Sequence, residues 1–199
     1  MSVTSEFLFD LASPYSYLAA TQLGGLIERT GCELKLTPIT ISGVFKTLGL
    51  PPLPHAPRLA YMRRDLEAWT KKYGAPLSFP AAFPTSCIQA LRVLVALPDG
   101  EPRASATHAL FHAFWGEGRD ISKPEVLAAV LDGLGMDSAA LLARTSTQEI
   151  KDELRANTDG AIQRGLFGVP TFFVGAEMFW GNDRLEFVEA AVRHVKLHA

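Results

Sequence analysis

Hydrophobic and polar positions alternate between two periods along this chain. Residues 5–10, SEFLFD, form a short apolar run that predicts a first buried strand. The run ends at a Ser-Pro-Tyr-Ser turn, where Asp10 and Ser13 offer capping oxygens and Pro14 suits the first helical position. YLAATQLGGLIERTG then carries a helical pattern that stops at Gly31. CELKLTPITI (32–41) predicts a second strand, with Leu34, Leu36 and Ile39 on one face. Strand, helix, strand in that order predicts a parallel pair.

The period changes after GLPPLPHAP (49–57), a proline-rich connector with no repeat of its own. About a hundred residues of helical pattern follow. RLAYMRRDLEAWTKKYG aligns Leu59, Met62, Leu66 and Trp69. Further helices are predicted in SCIQALRVLVAL, ASATHALFHAFWGEG, KPEVLAAVLDGLG and SAALLART. STQEIKDELRANTDGAIQRG opens with a capping box, Ser146 to Glu149. Strand patterns return in VPTFFVG (169–175) and EMFWG (177–181), and an amphipathic helix closes the chain. The reading is an α/β domain split by an all-helical insertion, with boundaries at 1–55, 56–160 and 161–199. The two halves have the element orders of a thioredoxin fold.

Composition narrows the function classes. Of 199 residues 48% are hydrophobic, enough for a substantial core, and the formal net charge is −2 with basic residues scattered. Nucleic acid is therefore not the expected partner. No apolar run is long enough to span a bilayer, and the N-terminus lacks the pattern of a secretory signal, so the expectation is a cytoplasmic protein without a membrane partner. Cys32 and Cys87 are expected to be unpaired and buried. His108 and His112 lie one helical turn apart, but no third ligand accompanies them and no metal site is expected. His55, in the connector, has no assigned role.

Three short segments could carry chemistry. Ser13 stands at a helix N-terminus, where thioredoxins hold their own cysteine thiolate; a serine there can hold a thiolate supplied by a ligand. GVPT (168–171) precedes a strand, and a cis Val169–Pro170 bond would present the Val169 backbone to an extended peptide. FWGNDR (179–184) offers turn N–H groups to a carboxylate, and the Asp183 carboxylate to an ammonium. A small thiol peptide bearing both end charges, such as glutathione, satisfies all three. Covalent catalysis by Ser13 is disfavoured, because no histidine is adjacent in sequence to act as its base.

SPYSYLA, FGVPTFFVG and FWGNDRL, with SGVFKTLG, YMRRDLEAWTKKYG and FHAFWGEGRDIS between them, resemble the 2-hydroxychromene-2-carboxylate isomerase and kappa-class glutathione transferase family of the DsbA-like thioredoxin superfamily. The resemblance covers nearly the whole chain and leans to the isomerase branch. It implies a DsbA-like α/β thioredoxin fold interrupted by a helical domain, a homodimer, and glutathione bound at the domain junction. It matches Ser13 to the catalytic serine, Val169 to the residue before the cis-proline, and Trp180, Asn182 and Asp183 to the glutathione-reading turn. The chain departs from the family at Leu50, beside Pro51, where family members often carry Asn, and at Arg58, where they often carry Lys. Arg58 retains a positive charge for glutathione with different geometry. Tyr15, Phe83 and Trp115 are candidates for an aromatic substrate pocket, and Cys87 follows a loop that the comparison places near the site.

The implied chemistry is reversible addition of a Ser13-stabilised glutathione thiolate to a conjugated carbon of an aromatic 2-oxo acid, bond rotation, and elimination of the isomer. Competing readings are a kappa-type transferase or peroxidase, and a non-catalytic peptide-binding module. A Cys-dependent oxidoreductase is the least favoured reading, since the chain has no Cys-x-x-Cys.

Overall fold

The computed structural model describes residues 3–51, 55–81 and 83–198, so part of the proline-rich connector (52–54) lies outside the described residues. Four strands form one sheet: β1 (Thr4–Phe9), β2 (Glu33–Pro38), β3 (Thr171–Val174) and β4 (Glu177–Trp180). Their order is β2-β1-β3-β4. β1 and β2 run parallel, as the strand-helix-strand order predicts, while β3 is antiparallel to both β1 and β4.

Side-chain alternation across the sheet builds two cores. Phe7, Phe9, Leu36, Phe172 and Val174 face the larger one, where Phe7 stacks on Phe9 and Phe172 at ring separations of 5.1 and 4.9 Å. Pairs of this kind contribute roughly 0.5–1.5 kcal/mol each beyond the area they bury. Leu8, Ile39 and Phe173 face a smaller core with Val44, Leu166 and Val169. Ile39 therefore does not share a face with Leu34 and Leu36; it lies an odd number of residues away, and an odd step on a pleated strand reverses the side.

The first predicted helix is two: α1 (Pro14–Ala20) and α2 (Leu23–Thr30). At the break, the Thr21 hydroxyl donates to the Leu18 carbonyl at 2.7 Å and the Gln22 N–H reaches only three residues back, to Ala19. A local side-chain bond of this kind competes with the helical ladder. Gly31 ends α2 in the left-handed region, as expected. β2 gives way at Thr40 to α3 (Ile41–Leu48), which the sequence reading missed, having extended the strand through ITI.

The helical block comprises α4 (Ala56–Tyr73), α5 (Ile88–Ala96), α6 (Glu101–Phe111), α7 (Pro124–Gly133) and α8 (Ser138–Arg144). α9 (Gln148–Gln163) then packs against β2, α3 and α5, and the boundary expected at residue 160 falls within it. Its cap is Thr147, whose hydroxyl oxygen accepts the Ile150 N–H, rather than Ser146. After α6 the backbone widens into a π turn, His112–Gly116. That turn buries the consecutive residues Phe114 and Trp115 completely. α10 (Leu185–His198) closes the chain. Cys32 and Cys87 are buried free thiols, and no described helix is long and apolar enough to cross a membrane.

Candidate active site

Register brings the three segments together. Leu8 pairs with Thr171, so the turn that leaves β1 toward Ser13 starts at the same end of the sheet as Val169 and Pro170, which lead into β3. The Gly181 N–H donates to the Pro170 carbonyl at 2.9 Å, which ties the turn before α10 to the same place. α1 packs directly on residues 182–184. The Val169–Pro170 bond is cis, as expected, and so is Phe83–Pro84.

Ser13 is the N-cap of α1. Its oxygen accepts the Ser16 N–H at 3.1 Å, and its hydroxyl proton has no acceptor among the described residues, which leaves it free to donate. The helix end is less open than a generic one. Pro14 has no N–H and Ser16 is capped, so Tyr15 carries the remaining free N–H of the first three residues. The hydroxyl, more than the helix dipole, is thus the donor on offer. Val169 lies just outside the strand ladder, and its N–H and C=O find no backbone partner among the described residues.

At the third segment Asn182 is buried, and its carbonyl accepts the Tyr73 hydroxyl at 2.8 Å. Its side-chain Nδ2 is also buried and has no partner among the described residues. Such a group is uncommon in a native fold. Asp183 is exposed, and among the described residues it pairs only with the exposed Arg184, at 3.3 Å. Trp180 is half-exposed and packs edge-on against Phe167 at 4.9 Å. Gly168 makes room for it: a Cβ there would stand 2.6 Å from the Trp180 Nε1.

The structure sorts the aromatic candidates. Tyr15 is half-buried and donates its hydroxyl to Asp65 at 2.8 Å; burial first, and then Asp65, pushes that hydroxyl far above its ordinary range. Arg58 is exposed on α4, close enough for its charge to oppose that shift. Phe83 is half-buried against Phe79 and Trp115. Trp115 is a correction: it has no exposure, so it is not a pocket wall. It stands behind Phe79 and Phe83, and its Nε1 donates to the Leu11 carbonyl at 2.8 Å, bracing the Ser13 turn from within. Cys87 is likewise buried, and burial, helped by Asp10 and Asp120, pushes its thiol far up, away from the thiolate a reactive cysteine needs. The described residues hold no cluster of metal-ligating side chains.

Asp10 matters more than the sequence suggested. It is buried, with its carboxylate accepting the Ala12 N–H at 2.8 Å and the Ile41 N–H at 2.7 Å, while its carbonyl accepts the Ser13 N–H at 3.0 Å. One residue thus pins the Ser13 turn to the start of α3. Desolvation raises its carboxyl to about 6 against the pull of both N–H groups. The sequence signal was an aspartate closing an apolar strand; Tyr73 and Asp65, on a helix distant in sequence, gave none.

The family model for the DsbA-like thioredoxin domain matches residues 4–193. The 2-hydroxychromene-2-carboxylate isomerase of Sphingobium xenophagum is 37% identical, covering 96% of this chain and 98% of its own. Human glutathione S-transferase kappa 1 is 29% identical over 93% of this chain and 88% of its own. A solved structure of a 2-hydroxychromene-2-carboxylate isomerase superposes with a TM-score of 0.86 at 32% identity, covering 96% of this chain and 95% of that one.

Proposed function

Because the chain belongs to the DsbA-like thioredoxin family, and within it to the group of 2-hydroxychromene-2-carboxylate isomerases and kappa-class glutathione transferases, we propose that it is a glutathione-dependent isomerase. Its substrate is 2-hydroxychromene-2-carboxylate, interconverted with trans-o-hydroxybenzylidenepyruvate, or a related aromatic 2-oxo acid. The observation that carries this reading is the free hydroxyl proton of Ser13 at the meeting of three segments that each leave polar groups unpaired.

Those unpaired groups fit glutathione. Ser13 would hold the sulfur and Val169 the cysteinyl backbone. Asn182, Asp183 and Trp180 would hold one end of the tripeptide, and Arg58 would supply a cation for a carboxylate. When bound, glutathione supplies a nucleophilic thiolate that adds reversibly to a conjugated double bond. The chain's part is to keep that sulfur ionised near neutral pH. Lowering a thiol from about 8.5 by two units takes roughly 2.7 kcal/mol. A hydrogen bond to a charged acceptor gives about 1.5–3 kcal/mol, and the helix end about 0.3–1 kcal/mol. The Ser13 hydroxyl alone therefore covers most of the requirement. A serine cannot trap glutathione as a mixed disulfide, as a cysteine would.

The test is spectrophotometric interconversion of the two substrate isomers with and without glutathione. Turnover that needs glutathione but leaves its concentration unchanged supports the isomerase. Consumption of glutathione into a conjugate favours the kappa-type transferase, and binding of extended peptides without turnover favours a non-catalytic module.

A further inference from the structure

A groove of about 510 Å³ runs between α3, α5 and α9, and it is lined by Lys46, Arg92, Lys151 and Arg155 against a single carboxylate, Asp159. None of the residues placed at the glutathione site lines it. We propose that this groove is a second ligand site, for a compact multivalent oxyanion.

Two independent features support the assignment. The first is the surplus of charge: no described carboxylate forms an ion pair with Lys46, Arg92 or Lys151, and Arg155 meets Asp152 only at 4.0 Å, with both side chains exposed. Gathering four cations around one concavity is unfavourable without a counter-charge. The second is the Nε of Arg92, which is sealed from solvent and has no acceptor among the described residues. The Arg92 side chain as a whole is partly buried in the groove wall, so its charge is held partly out of water, and an anion in the groove would offset that cost.

The floor beneath these side chains is fixed. The Thr40 N–H donates to the Thr158 hydroxyl oxygen at 3.0 Å, and the two threonine hydroxyls meet at 3.3 Å. Gly43 is why the helices approach so closely: a Cβ there would lie 2.7 Å from the Thr40 Oγ1 and 3.3 Å from the Thr158 Cγ2. Lys46, Lys151 and Arg155 thus project from helices joined by this α3–α9 contact, and Arg92 from α5 beside them, which limits the ordering entropy that binding must overcome. Phosphoryl and polycarboxylate ligands share the chemistry this site recognises.

Pyrophosphate and citrate serve as probes, titrated separately into the full chain and followed by calorimetry and by backbone amide shifts. The expected result is saturable binding of at least one probe at low ionic strength. It should weaken with added salt, with shifts centred on residues 40–47, 88–92 and 151–159. Preference for one probe separates a phosphoryl ligand from a polycarboxylate. A Lys151→Gln, Arg155→Gln double variant, altered only at the groove rim, should bind at least tenfold more weakly and keep its isomerase activity. Arg92→Gln should weaken binding comparably wherever it folds. Absence of binding by both probes, shifts centred elsewhere, or equal affinity in the rim double variant would each overturn the proposal.

Discussion

Replacing Ser13 with alanine removes two things at once, and the structure separates them. The hydroxyl oxygen caps the Ser16 N–H, and the hydroxyl proton has no acceptor among the described residues. Loss of the cap costs about 1 kcal/mol of stability, or roughly 2–4 °C in Tm for a chain of this size. Loss of the donor removes about 1.5–3 kcal/mol from a bound thiolate, which raises its pKa by roughly one to two units. A thiol moved from about 6.5 to about 8.5 falls from roughly three-quarters ionised at pH 7 to a few per cent, so turnover at pH 7 should drop roughly 20-fold and recover by about pH 9.5. Ser13→Thr retains both functions and should behave like the parent. Ser13→Asp retains the cap acceptor but cannot donate as a carboxylate, so its Tm should hold while its pH–rate profile shifts at least as far as that of the alanine variant. The assay is kcat/KM against pH for all three, beside thermal unfolding. An unshifted profile in Ser13→Ala, or a loss that persists undiminished at high pH, refutes the reasoning.

Three further outcomes follow from specific contacts. Gly168→Ala should displace Trp180, because the new Cβ meets the indole at 2.6 Å; KM for glutathione should rise with little change in Tm, and Trp180 fluorescence should report the shift. Trp115→Phe leaves the buried Leu11 carbonyl without its donor and opens a void, so it should lose roughly 2–4 kcal/mol in denaturant unfolding. Asp10 has a folded carboxyl raised to about 6 from an ordinary 3.8, so the native state binds its proton more tightly than the unfolded chain does. Its contribution is most favourable at low pH and is lost as pH rises from about 4 to about 6, by roughly 3 kcal/mol in all. Between pH 4 and 7.5 the unfolding free energy of the parent should fall by roughly 2.5 kcal/mol relative to that of Asp10→Asn; parallel curves contradict the account.

The fold was legible where one period ran unopposed. The apolar run at 7–9, the final amphipathic helix and the helical block all declared themselves by pattern. Failures came where a local contact overrode it. The Thr21 hydroxyl splits a helix whose apolar pattern continues, and α3 begins where Asp10, thirty-one residues earlier, accepts the Ile41 N–H and Thr158 holds the Thr40 N–H. The three site segments were legible because each is a short turn with its own chemistry. Their union was expected from a ligand that satisfies all three and from the resemblance, and not from pattern, since the fold achieves it through Leu8 pairing with Thr171 across the sheet. Trp115 illustrates the limit of residue type: an aromatic that reads as a pocket wall is a brace by burial.

The central claim is that the Ser13 turn holds a sulfur the protein does not own. A crystal structure of the glutathione complex tests it most directly. The account predicts the glutathione sulfur within hydrogen-bonding distance of the Ser13 Oγ, with the cysteinyl backbone paired to Val169. A sulfur placed away from Ser13, or a tripeptide bound clear of Val169 and Asp183, would contradict it.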